Sequence, residues 1–187
     1  MSLIKEHRGR LLELAKNSIR YGLETGKPLT IDLADFPEEL TRQRATFVTL
    51  LKNHQLRGCI GMLQAVRPLA EDVAENAFSA AFRDSRFAPL QADEINDLEI
   101  HISILTPPEP VLFTSEQDLL EQLQPGIDGL ILEEGRHRGT FLPSVWASLP
   151  QPRQFLRQLK QKAGLPPDYW SEGIRMSRYR TEEFKEA

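Results

Sequence analysis

Leu50-Leu51-Lys52-Asn53-His54-Gln55-Leu56-Arg57-Gly58-Cys59-Ile60 reads as a β-hairpin. An apolar run enters it, Asn53-His54-Gln55 supplies turn residues, and Leu56–Met62 returns as a strand. A constant offset of 81 residues lays it, without a gap, on Ile131-Leu132-Glu133-Glu134-Gly135-Arg136-His137-Arg138-Gly139-Thr140-Phe141. Both copies read apolar pair, polar turn, Arg-Gly, small residue, apolar residue. Prolines and an amphipathic helix follow each. The first helix starts at Pro68, with Glu71 and Asp72 in its first turn as partners for the helix dipole. It carries a small-residue seam of Ala70, Ala74, Ala77 and Ala81. The second carries Phe155, Leu156, Leu159 and Ala163 and stops at Gly164. A strand closes each copy, over 98–105 and 174–180. This order predicts a duplicated β–β–α–β unit, with 45–105 superposing on 127–180 and Gly58 over Gly139.

The rest of the chain fits around that unit. Leu12, Ala15, Ile19 and Leu23 form one stripe of a helix over 5–24, ended by Gly26 and Pro28. Leu98, Ile100, Ile102 and Ile104 alternate with Glu99, His101 and Ser103, a strand with one dry and one wet face. Ser115 with Asp118 three residues on resembles a capping box. At 187 residues the chain is read as one domain, 1–187, with halves 29–110 and 111–187 preceded by the helix over 5–24. The net charge of −4 hides an asymmetry: residues 69–134 sum to −13 and residues 135–181 to +7. A basic segment is a solvated surface or a face for an anion, a nucleic acid or an acidic partner. No apolar stretch reaches the roughly 20 residues that a membrane-spanning helix needs, so no membrane partner is expected. The opening MSLIKEHRGR lacks a signal-peptide core, and a single cysteine suits a reducing compartment. The expected location is cytoplasmic.

Cys59 is the one cysteine in the chain. It cannot form an internal disulfide, nor by itself a zinc or iron–sulfur site, so no metal site is expected. It is either core filler or a reactive group. Gly58 and Gly61 allow a sharp bend or a close approach to a ligand. Arg57, two residues earlier on a strand, would share a face with the thiol, and a nearby cation favours a thiolate. Equally, free cysteine is among the most buried residue types.

Six segments together resemble a known family. They are Phe47-Val48-Thr49-Leu50, Leu56-Arg57-Gly58-Cys59-Ile60-Gly61, Pro68-Leu69-Ala70-Glu71-Asp72-Val73-Ala74, Ala80-Ala81-Phe82-Arg83-Asp84 with Arg86-Phe87, Asp97-Leu98-Glu99-Ile100 and Gly139-Thr140-Phe141-Leu142-Pro143. In this order, over nearly the whole chain, they are similar to the AMMECR-one family. The resemblance implies an α+β fold with a curved, barrel-like antiparallel sheet and outer helices, built from two related halves. It also implies a link to Memo-type and radical-SAM proteins as partners in a modification pathway. It names no reaction and no cofactor.

Arg83, Asp84 and Arg86 form a second polar cluster at the end of the alanine-seamed helix. They are a local ion-pair group, or they join Arg57 and Cys59 in one cleft for an anionic substrate. The candidate catalytic residue is therefore Cys59. The candidate substrate-binding residues are Arg57, Gly58, Gly61, Arg83, Asp84, Arg86 and Thr140, the last being the counterpart of Cys59 in the second copy. His54 and His137 fall in the two predicted turns. His101 lies on a wet strand face and would activate the thiol if it faced it. Arginines and aromatics interleave over 169–180, a pattern that holds single-stranded RNA or, more commonly, packs a core. Three readings stand: a cysteine-dependent enzyme or substrate carrier, a non-catalytic adaptor, and an RNA-binding protein.

Overall fold

The computed structural model describes residues 2–186. Contacts divide the chain into two compact units. One holds the residues up to Leu105 and those from Glu182 onward; the other holds Thr106–Thr181. The units differ from the halves expected at 29–110 and 111–187. The N-terminal helix belongs to the first unit, and the chain returns to that unit at its end.

In the first unit α1 (Lys5–Thr25) ends at Gly26, whose φ of 70° is the left-handed geometry of a helix stop. After the short α2 (Glu38–Thr41), β1 (Thr46–Lys52) and β2 (Gln55–Gly61) form an antiparallel hairpin. Its turn residues Asn53 and His54 both have positive φ, as a two-residue turn requires. The helix α3 (Leu69–Phe82) follows, with Pro68 as its N-cap, and then β3 (Leu98–Leu105) pairs with β1. Leu98, Ile100, Ile102 and Ile104 face a core with Val48, Leu50 and the alanine seam of α3. The alanines let α3 lie close to the sheet. An added Cβ on Gly58 would stand 2.1 Å from the carbonyl oxygen of Ala80.

The second unit holds β4 (Glu109–Val111), α4 (Glu116–Gln122), β5 (Gly129–Glu134), β6 (His137–Phe141), α5 (Pro152–Lys162) and β7 (Arg175–Tyr179). Ser115 caps α4 by accepting from the Asp118 amide. Leu130, Leu132, Phe155, Leu156, Leu159 and Trp146 build a separate core, with Trp146 stacked on Phe155 at 3.7 Å. Tyr169 and Trp170 pack against this core and Tyr179 is buried. Three aromatics of the 169–180 segment thus serve packing.

The last strand, β8 (Thr181–Lys185), adds to the first sheet, giving the order β2-β1-β3-β8. The second sheet has the order β4-β7-β5-β6. Read from the hairpin outward, both sheets run second strand, first strand, post-helix strand, added strand. The duplication predicted from the hairpin is therefore present in the topology. The gapless alignment is not. Leu50 pairs with Gly58, whereas Leu132, not Ile131, pairs with Gly139. The first hairpin carries one extra residue, because Leu51 pairs with Leu56 and Arg57 is left over as a β-bulge. The second turn is thus Gly135-Arg136, and His137 starts β6 rather than lying in the turn.

Candidate functional site

Strand alternation places Cys59. Gly58 is buried against α3 and Ile60 packs on the same core, so Cys59 between them faces the opposite side of the sheet. The cysteine is half-buried. Its Sγ lies 3.1 Å from Oγ1 of Thr49, its cross-strand partner on β1. His101 pairs with Thr49 from the far side, on β3. Cysteine, threonine and histidine therefore form one row across three strands, with the hydroxyl between thiol and imidazole. His101 itself bonds Glu99 at 2.6 Å.

The free edge of β2 is closed by side chains. Asp84 Oδ2 accepts from the Cys59 amide at 2.9 Å, and Arg86 donates to the Cys59 carbonyl oxygen at 3.3 Å. Arg86 also forks onto both oxygens of Asp84, at 3.0 and 2.7 Å. An exposed strand edge invites pairing with another chain, and this ion pair blocks it. Asp84 and Arg86 thus meet Cys59 through its backbone. Arg83 turns elsewhere: it pairs with Glu75 at 3.1 Å and stacks over Phe78.

Arg57 spends its charge on Glu94, which accepts from its Nε at 3.0 Å and its Nη2 at 2.9 Å, while Lys52 adds a third contact at 3.1 Å. The bulge removes Arg57 from the regular alternation, so its face cannot be read by counting residues. Its remaining nitrogen, Nη1, is buried and has no partner among the described residues. Phe87 lies under both Arg57 and Arg86, at 6.0 and 5.6 Å. Gly61 leaves room for Phe47, since a Cβ there would stand 2.4 Å from its ring. Thr140, in the second unit, donates to the Leu130 carbonyl at 2.8 Å and lies 3.1 Å from the Tyr179 hydroxyl.

The cluster leaves an electrostatic signature. The Arg86 fork, helped by the Cys59 amide, holds the Asp84 carboxyl well below the usual carboxylate range against its burial. Arg57, with the Gln91 amide and Lys52, holds Glu94 down at about 2. Both folded-state values lie below the unfolded ones. Their stabilisation is complete above about pH 5 and is lost as pH falls toward 2 and below. Urea midpoints should therefore fall between pH 5 and pH 2.5, and Glu94→Gln should flatten that slope. A midpoint that holds steady across this range would contradict the assignment.

Sequence reasoning missed Glu94, the partner of Arg57, and Asp72. Asp72 is buried inside the first unit rather than exposed on the first turn of α3. It accepts from the Thr46 amide and hydroxyl, from Asn76 and from Arg67. The signal available was Thr46 at the start of an apolar strand, a polar residue needing a partner. Among the described residues no three His, Cys, Asp or Glu side chains gather as a metal site, and no helix is long and apolar enough to cross a membrane.

The comparisons agree with this architecture. The family model AMMECR1 matches residues 12–184. A protein of Methanothermobacter thermautotrophicus is 38% identical over 182 residues, covering 94% of this chain and 92% of its own length. One from Methanocaldococcus jannaschii is 39% identical over 165 residues, covering 86% and 81%. The crystal structure of an uncharacterized protein from Pyrococcus horikoshii is similar at a TM-score of 0.87 and 36% identity, over 94% of this chain and 89% of that one. By these matches, which span the duplicated hairpin and the Cys59 strand, the chain belongs to the AMMECR1 family.

Proposed function

We propose that the protein is a cysteine-dependent enzyme or substrate carrier, with Cys59 as nucleophile or attachment point for an anionic substrate. One observation carries this reading: the thiol is half-buried on the sheet face away from the core, beside a hydroxyl, where a packing cysteine would be enclosed. Lys52, Arg57 and Arg86 against Asp84 and Glu94 leave the cluster one positive charge in surplus. In this reading Arg57 and Arg86 bind substrate and Asp84 orients Arg86, while Gly58 and Gly61 serve packing, against the Ala80 carbonyl and the Phe47 ring. The modification pathway, with Memo-type and radical-SAM partners, rests on the family resemblance alone.

The adaptor reading has its own support, since the Asp84–Arg86 pair would guard the β2 edge in a purely structural protein. Thiol labelling separates the two. Iodoacetamide should label Cys59 in the folded protein near neutral pH, and Cys59→Ser should lose labelling while keeping the melting temperature within about 2 °C. Arg57→Met should change the labelling rate. Labelling that begins only on denaturation would make the cysteine structural and favour the adaptor.

A further inference from the structure

Three arginines meet at the tip of the second hairpin. Arg136, Arg138 and Arg175 line, with His137, a cavity of about 360 Å³ between the β5–β6 turn and the start of β7. The strand register brings them there. Glu133 on β5 stands opposite Arg138 on β6 and opposite Arg175 on β7. That single carboxylate is shared out poorly: it reaches Arg138 at 3.3 Å, with both partners half exposed. Among the described residues no carboxylate pairs with Arg136 or Arg175. Glu134, the other acid of the hairpin, is turned to the Tyr169 and Ser171 hydroxyls.

His137 is held in place. Its Nδ1 lies 3.0 Å from the Ala163 carbonyl oxygen, which can only accept, so Nδ1 donates and anchors the ring to the end of α5. Gly164, with φ of 86°, gives the ring its space, since a Cβ there would stand 3.1 Å from Nδ1. Three guanidiniums with one partly used counter-charge, gathered in a concave site, match the fork geometry of a phosphate.

We propose that this cavity binds the terminal phosphate or pyrophosphate group of a small molecule. The site lies wholly in the second unit and makes no use of Cys59. A nucleic-acid backbone fits it less well. Single-stranded binding uses aromatic platforms beside the charges, and no Phe, Tyr or Trp lines this cavity.

Calorimetric titration of the full chain with inorganic pyrophosphate tests the proposal. Saturable binding is expected, and Arg136→Gln and Arg175→Gln should each weaken it roughly tenfold, the loss expected for one charge-assisted contact. Arg153→Gln, an exposed arginine on α5, should leave it unchanged. Circular dichroism would verify that the variants are folded. Absence of saturable binding overturns the proposal. So does an equal loss on Arg153→Gln, which would mean diffuse charge attraction. Binding of single-stranded RNA that depends on Arg136 and Arg175, without binding of pyrophosphate, would overturn it in favour of a nucleic-acid surface.

Discussion

Replacing Gly58 by alanine is expected to destabilise the protein by at least about 3 kcal/mol, the upper range for overpacking a close contact. The added methyl group would stand 2.1 Å from the Ala80 carbonyl oxygen, and that atom belongs to the backbone of α3. No rotamer change relieves such a clash, so the helix or the strand must move. The melting temperature should fall by roughly 6–12 °C for a chain of this size. Gly139→Ala is the internal control. Its methyl group would meet Ala163 at 3.0 Å, partly through a side chain at the end of α5, and the loss should be clearly smaller. Equal losses would mean that both glycines are tolerated by general relaxation. The variant also bears on the candidate site. Asp84 follows α3 and holds the Cys59 amide, so displacement of the helix should alter thiol labelling as well as stability.

Asp72→Ala is expected to have the other large effect, about 3–5 kcal/mol, the usual loss when one member of a buried charged network is removed. Its two oxygens satisfy the Thr46 amide and hydroxyl, an Asn76 amide hydrogen and the Arg67 guanidinium. Deleting the carboxylate strands these donors in a dry environment, and each stranded donor carries its own penalty. Asp72→Asn should recover part of the loss, since the amide keeps one acceptor oxygen while placing an NH2 group against the remaining donors. Chemical denaturation of the three proteins measures the order: wild type, then Asn, then Ala. An Ala variant within about 1 kcal/mol of wild type would show that Asp72 serves the helix dipole alone.

Both residues show where reading the chain stops. Periodicity and turn chemistry are local, so Leu50–Ile60 could be recognised as a hairpin, Leu98–Leu105 as a half-wet strand and Gly26 as a helix stop. The duplication was legible for the same reason, because each copy repeats its own local signals. The place of Cys59 was not legible: the sequence left it between core filler and reactive group, and only the packing of Gly58 on α3 and of Ile60 on the core put it on the opposite face. The bulge at Arg57 was not legible. An extra residue changes no composition, and only pairing with β1 reveals that Leu51 takes Leu56 as its partner.

The charged groups needed the tertiary structure most. Arg83, Asp84 and Arg86 are neighbours in the chain, yet Arg83 goes to Glu75 while Asp84 and Arg86 go to the backbone of Cys59. Long side chains reach several partners of similar local appeal, and packing decides among them. Glu94, far from any motif, became the partner of Arg57 because the segment before β3 passes the bulge. The sequence by itself determined the order of the elements, the two related units and the family. The tertiary structure alone decided which acid holds which base, because that choice depends on distances between segments that the chain does not place side by side.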